Sequence, residues 1–126
     1  MTHRRIKIFF DGGCRPNPGP IEAAVVIRGK VHWFDLGHGN NQDAEWLALI
    51  EAVKLSQELG LEHVELIGDA MEVVDHANRA MRDGAGEEGH AATFAALLKS
   101  GSPARIRWIK RQQNLAGIAL ASRHPR

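Results

Sequence analysis

The chain has 126 residues, a formal net charge of +1 and one cysteine. That length fits a single domain spanning 1–126, one cysteine excludes an intramolecular disulfide partner or a cysteine-based zinc site, and no apolar run reads as a signal peptide or membrane span, so a cytoplasmic protein is expected. Charge is uneven: no Asp or Glu follows Glu88, while Lys99, Arg105, Arg107, Lys110, Arg111, Arg123 and Arg126 do, which suits a polyanion held near an acidic site or else a solvated basic face.

Ile6 to Phe10 is β-prone and free of turn signals, a strand buried on both faces that ends at Asp11. The following stretch to Pro20 is rich in glycine and proline, which predicts an irregular loop of little bulk that lets another backbone approach. Ala23–Arg28 and Val31–Leu36 read as strands joined by a tight turn at Gly29-Lys30. After the polar loop Gly37–Gln42, Asp43 is the expected N-cap of a helix over Ala44–Leu59, stopped by Gly60. His63–Ile67 reads as a strand running into Gly68-Asp69, and Met71–Met81 as a helix. Arg82–Gly89 follows as a loop, Ala91–Leu98 as a helix, Arg105–Lys110 as a strand with one wet face and Leu115–Ala121 as a last helix. This order predicts an α/β domain with a mixed sheet, three antiparallel strands and then parallel ones, flanked by helices.

Asp11 and Asp69 each end a predicted strand and Glu45 opens a helix beside the sheet, so one sheet edge can hold all three carboxylates. Clustered carboxylates raise one another's pKa values unless cations bind. Hard oxygen ligands suit Mg²⁺ or Mn²⁺, which bridge substrate phosphates and point to phosphoryl transfer. Two such ions about 4 Å apart activate a water and stabilise a leaving 3′ oxygen.

Asp11-Gly12-Gly13 with Asn17-Pro18-Gly19-Pro20, then Asn41-Gln42-Asp43-Ala44-Glu45-Trp46 with Leu47-Ala48-Leu49, then Gly68-Asp69, resemble three successive motifs of the ribonuclease H type 1 family. Trp108 to Asn114 is similar to the short final motif of its archaeal-like branch. The resemblance spans nearly the whole chain. It implies an RNase H-like fold with a five-stranded sheet and metal-dependent hydrolysis of the RNA strand of an RNA/DNA hybrid. It further implies Asp11 as ligand to both ions, with Glu45 and Asp69 completing one side each. Gly12, Gly13, Asn17, Asn41, Gln42 and Asn114 fall among substrate-binding positions, of which Asn17, Asn41 and Gln42 fall where the family touches 2′-hydroxyls and base edges in the wide minor groove of an A-form-like duplex. Lys110 and Arg111 fall at phosphate contacts.

Several positions depart from the family pattern. Its final motif continues from the asparagine to an Ala-Asp pair; in register this chain has Gly117 and Ile118, so the fourth carboxylate position is degenerate at Ile118. Ala70 stands for the family's serine, and Glu22 and Ala24 for glycines; Glu22 is a candidate to lend the missing charge, but nothing in the sequence places its carboxylate in the site. The residues around Arg111-Gln112-Gln113 contain no counterpart of the histidine of longer-loop members, as expected of the short branch. Ile118 keeps open a catalytically inactive module that binds hybrid or double-stranded RNA, and fold alone leaves an integrase-like activity open. Cys14 reads as filler, Glu51, Glu58, Asp75, Glu87 and Glu88 as solvated surface, Trp46 and Trp108 as core, and Trp33 as an exposed strand edge. The histidines have no metal-ligand spacing, and His124 reads as an exposed bystander, with approach to the site from a mobile tail as the alternative. The sequence does not indicate an oligomeric state.

Overall fold

The computed structural model describes residues 4–84 and 87–124, so Arg126 and part of the predicted Arg82–Gly89 loop lie outside the described residues. Three strands come first: Ile6–Cys14 (β1), Gly19–Ile27 (β2) and Lys30–Gly39 (β3). Asn41–Glu58 (α1), Val64–Gly68 (β4), Met71–Asp83 (α2), Gly89–Leu97 (α3), Arg105–Trp108 (β5) and Leu115–Arg123 (α4) follow. The sheet order is β3-β2-β1-β4-β5, with β1, β2 and β3 antiparallel and β1, β4 and β5 parallel. This is the mixed five-stranded sheet that the element order predicts.

Several boundaries differ for identifiable reasons. β1 continues through Asp11 to Cys14, because β2 offers ladder partners to the glycines, Gly12 to Ala23 and Gly13 to Glu22. Asp11 therefore lies within a strand, not at its end. The β2–β3 turn falls on Arg28 (φ 52°) and Gly29 (φ 80°), one residue earlier than expected. Two successive positive φ values give the primed turn that matches strand twist. Helix α2 runs two residues further, to a left-handed cap at Gly84. β5 stops at Trp108, two residues short of the expected end.

The two sheet faces are covered unequally. α1, α2 and α3 bury one face over Ile8, Phe10, Val25 and Leu66, with Leu49, Val53, Val74 and Phe94 packed against them. On the other face Ala116 and Leu120 of α4 meet Ala24 and Val26. Trp46 is core and Trp33 is exposed on edge strand β3, as expected. Trp108 is not core: it is 38% exposed, because it closes the four-residue edge strand β5. Among the described residues no helix is long and apolar enough to cross a membrane.

Candidate functional site

The site forms where the parallel ladder opens. β1 and β4 pair as far as Phe9 with Ile67, and beyond that point the chains part with Asp11 on one side and Asp69 on the other. A crevice at the carboxyl ends of parallel strands is where open α/β sheets bind ligands. Two glycines allow the close approach. A β-carbon at Gly68 would collide with the Phe10 ring, and one at Gly12 would collide with the carbonyl of Ala44 in α1. The start of α1 is thus pressed against β1, and the Gly12 amide donates to Glu45 Oε1 at 2.9 Å.

The N-cap of α1 is Asn40, not Asp43. Asn40 Oδ1 accepts from the Asp43 amide at 2.8 Å, and the Asn40 amide donates to Asp43 Oδ2 at 3.0 Å, a reciprocal capping box. Asp43 reads as a cap in sequence because the residue type suits both positions. His90 of α3 adds a 2.9 Å contact to Asp43 Oδ1.

Asp11, Glu45 and Asp69 each offer an oxygen, and these atoms all lie within 4.8 Å of one another. Burial, followed by the charge of Asp11, pushes Glu45 up to about 9. Burial also pushes Asp11 up to about 6; a hydrogen bond with Glu45 pulls it down and the charge of Asp69 raises it. The cluster therefore keeps a proton near neutral pH that a divalent cation would displace. Oxygen-only donors of this kind fit Mg²⁺ or Mn²⁺.

Asn114 locks this arrangement. It is completely buried, and its Nδ2 donates to Phe10 O at 3.0 Å and to Asp69 Oδ2 at 2.9 Å. Its Oδ1 accepts from the Ala116 amide at 3.1 Å, capping α4. A side chain so enclosed orients Asp69 and has no surface for a substrate. Trp108 donates its indole N–H to Asp69 O at 3.0 Å, a role its sequence setting does not reveal.

A cavity of about 480 Å³ joins the three carboxylates to Gly12, Gly13, Asn41, Arg111, Gly117, Glu22 and His124. Asn17 Oδ1 accepts from the Asn41 amide at 3.1 Å, and Asn41 Oδ1 accepts from the Cys14 amide at 3.3 Å, so the β1–β2 connection is tied to the start of α1. Cys14 is buried within this knot, as a filler should be. Asn17, Gln42 and Lys110 are exposed outside the cavity lining. In α4 it is Gly117 that faces the carboxylates: a β-carbon there would lie 3.2 Å from Asp11 Oδ2. Ile118 is 51% exposed, so the sequence register and the helix orientation differ by one residue. His124, read as a bystander, lies 2.6 Å from Glu22. Only pairing across the sheet reveals that contact, since the two are 102 positions apart.

The family described as Reverse transcriptase-like matches residues 9–124. Ribonuclease HI of Halobacterium salinarum is 35% identical over 72 residues, 52% of this chain and 36% of that protein. Ribonuclease H of Mannheimia succiniciproducens is 39% identical over 62 residues, 46% of this chain and 39% of that protein. The matched stretch thus spans well under half the length of these curated relatives. Among solved structures, RNase H1 of H. salinarum superposes with a TM-score of 0.74 at 23% identity, covering 93% of this chain and 94% of that one. LC11-RNase H1 in complex with an RNA/DNA hybrid superposes at 0.70 with 27% identity, covering 88% and 89%. Fold and sequence pattern agree: the chain belongs to the Reverse transcriptase-like family and has the fold of the RNase H1 structures.

Proposed function

We propose that this chain hydrolyses the RNA strand of RNA/DNA hybrids with Mg²⁺ or Mn²⁺ held by Asp11, Glu45 and Asp69. The observation that carries the reading is the convergence of these three carboxylates within 4.8 Å, two of them with pKa values raised by burial. The bound metal would supply activation of the attacking water and stabilisation of the leaving 3′ oxygen. The chain's own part is positional. The Gly12 amide fixes Glu45, the Asn114 amide fixes Asp69, and the crevice between β1 and β4 brings a phosphodiester to the acids. Asn17, Asn41 and Gln42, exposed at the start of α1 and the nearby loop, suit 2′-hydroxyls and base edges in a wide minor groove. Arg111 on the cavity wall and exposed Lys110 suit phosphates, without reading sequence. A duplex partner is further supported by the RNA/DNA hybrid bound to LC11-RNase H1.

A second reading, an inactive module that binds hybrid or another A-form-like duplex, is favoured by one observation: α4 offers glycine and isoleucine where the site lacks an acid. Cleavage of a labelled hybrid at low salt, with Mg²⁺ and separately with Mn²⁺, decides between them. The native chain should cleave and Asp11→Asn should not. Folded native protein that binds hybrid and cleaves with neither ion would establish the second reading.

A further inference from the structure

The wall of the carboxylate cavity carries a fourth acid, Glu22, the one ionisable residue of β2. Register explains its presence. Asp11 pairs with Ala24 and Gly13 with Glu22, so Glu22 is the diagonal neighbour of Asp11 on the same sheet face. Such neighbours stand roughly 7–8 Å apart, within reach of a long side chain. The residue opposite Glu22 is Gly13, where an added β-carbon would meet nothing within 4 Å, and on the α4 side the residue beside Asp11 is also a glycine, Gly117, whose added β-carbon would lie 3.2 Å from Asp11 Oδ2.

In the structure Glu22 is turned the other way. Its Oε1 lies 2.6 Å from His124 Nε2 and its Oε2 lies 3.2 Å from an Arg123 guanidinium nitrogen. The three carboxylates that converge within 4.8 Å do not include it. Two divalent ions would bring four positive charges to three carboxylates, and Glu22 is a fourth acid lining the same cavity.

We infer that Glu22 is the fourth acidic group of the metal site, delivered from β2, and that His124 and Arg123 hold it at the end of α4 until metal binds. The inference rests on the metal-dependent reading above and names a residue that completes the same site. Gly117 and Gly13 are the complement of this arrangement, since both keep the space through which the Glu22 carboxylate moves.

The test is calorimetric titration of Mn²⁺ into the full chain at low salt, with circular dichroism to confirm folding. The native chain, Glu22→Gln, Asp11→Asn and an Arg123→Ala/His124→Ala double variant are compared. Native protein should take up two ions. Glu22→Gln should keep the tighter ion and bind the weaker one about tenfold or more less tightly, as for other metal-site substitutions. The double variant releases Glu22 and should bind the weaker ion at least as tightly as the native chain. If Glu22→Gln titrates like the native chain while Asp11→Asn loses metal, Glu22 only anchors α4 and the inference is overturned while the proposed function stands. If Glu22→Gln does not fold, a double variant that weakens Mn²⁺ binding overturns the inference on its own. Unchanged Mn²⁺ binding by Asp11→Asn overturns both.

Discussion

One amide, Asn114, ties together a strand, a site carboxylate and a helix cap. Removing it strands the Phe10 carbonyl in a buried setting and uncaps α4. An unsatisfied buried group costs about 1–3 kcal/mol and a lost cap about 1 kcal/mol. Asn114→Ala should therefore lose about 2–4 kcal/mol in denaturant unfolding. Asn114→Asp should weaken metal binding differently, by setting a second charge against Asp69. Glu45 and Asp11 give the site a pH signature. Their pKa values are raised in the fold, Glu45 to about 9 and Asp11 to about 6, whereas the unfolded chain releases both protons near pH 4. Between about pH 4 and pH 9 the native state holds more protons than the unfolded state, so their contribution to stability falls as pH rises. In metal-free protein the melting temperature of the native chain, relative to Glu45→Gln, should drop from pH 5 to pH 9. Added Mn²⁺ should reverse that drop for the native chain alone. A native-minus-variant difference that stays flat with pH would show that the pair is not strained.

Among the elements, α1 matters most because its first turn carries Glu45. Two features set its position: the capping box at Asn40 and the contact with Gly12. Asn40→Ala should cost about 1 kcal/mol, measured by chemical unfolding, and loosen Glu45 without displacing it. Gly12→Ala is the harsher change, since its methyl meets backbone atoms of Ala44 that cannot rotate away. It should cost about 1–3 kcal/mol or more and abolish Mn²⁺ binding, because α1 must move off the sheet. Comparable metal binding by native protein and Gly12→Ala would mean that α1 is not held by this contact. The existence of α1 and of β4 was legible in sequence, through apolar periodicity and a β-rich run ending in Gly68. The extent of β1 was not. Glycines read locally as loop, and only the partner strand β2, which satisfies their backbone groups, makes Asp11 to Cys14 a strand. Trp108 failed for a similar reason: its apolar neighbours suggest burial, but the edge position of β5 decides exposure.

Over the whole molecule, charge is divided between an acidic crevice and basic surroundings. Arg111 faces the cavity, and Lys110 is exposed beside it in sequence. For a hybrid-binding protein, Lys110→Ala and Arg111→Ala should each weaken binding equally across sequences and reduce the salt slope by about 1, as read by fluorescence anisotropy over a range of salt. A sequence-dependent loss would show that they read bases. The mixed α/β architecture, the order of the elements and the three acids Asp11, Glu45 and Asp69 were legible in the sequence, because periodicity, turn chemistry and motif spacing are local properties. Packing alone sets that Asn114 faces inward, that Gly117 and not Ile118 turns toward the acids, and that Glu22 meets His124 beside the cavity. Those outcomes depend on the phase of a helix against a sheet and on register between strands, and both are set by packing between residues distant in the chain.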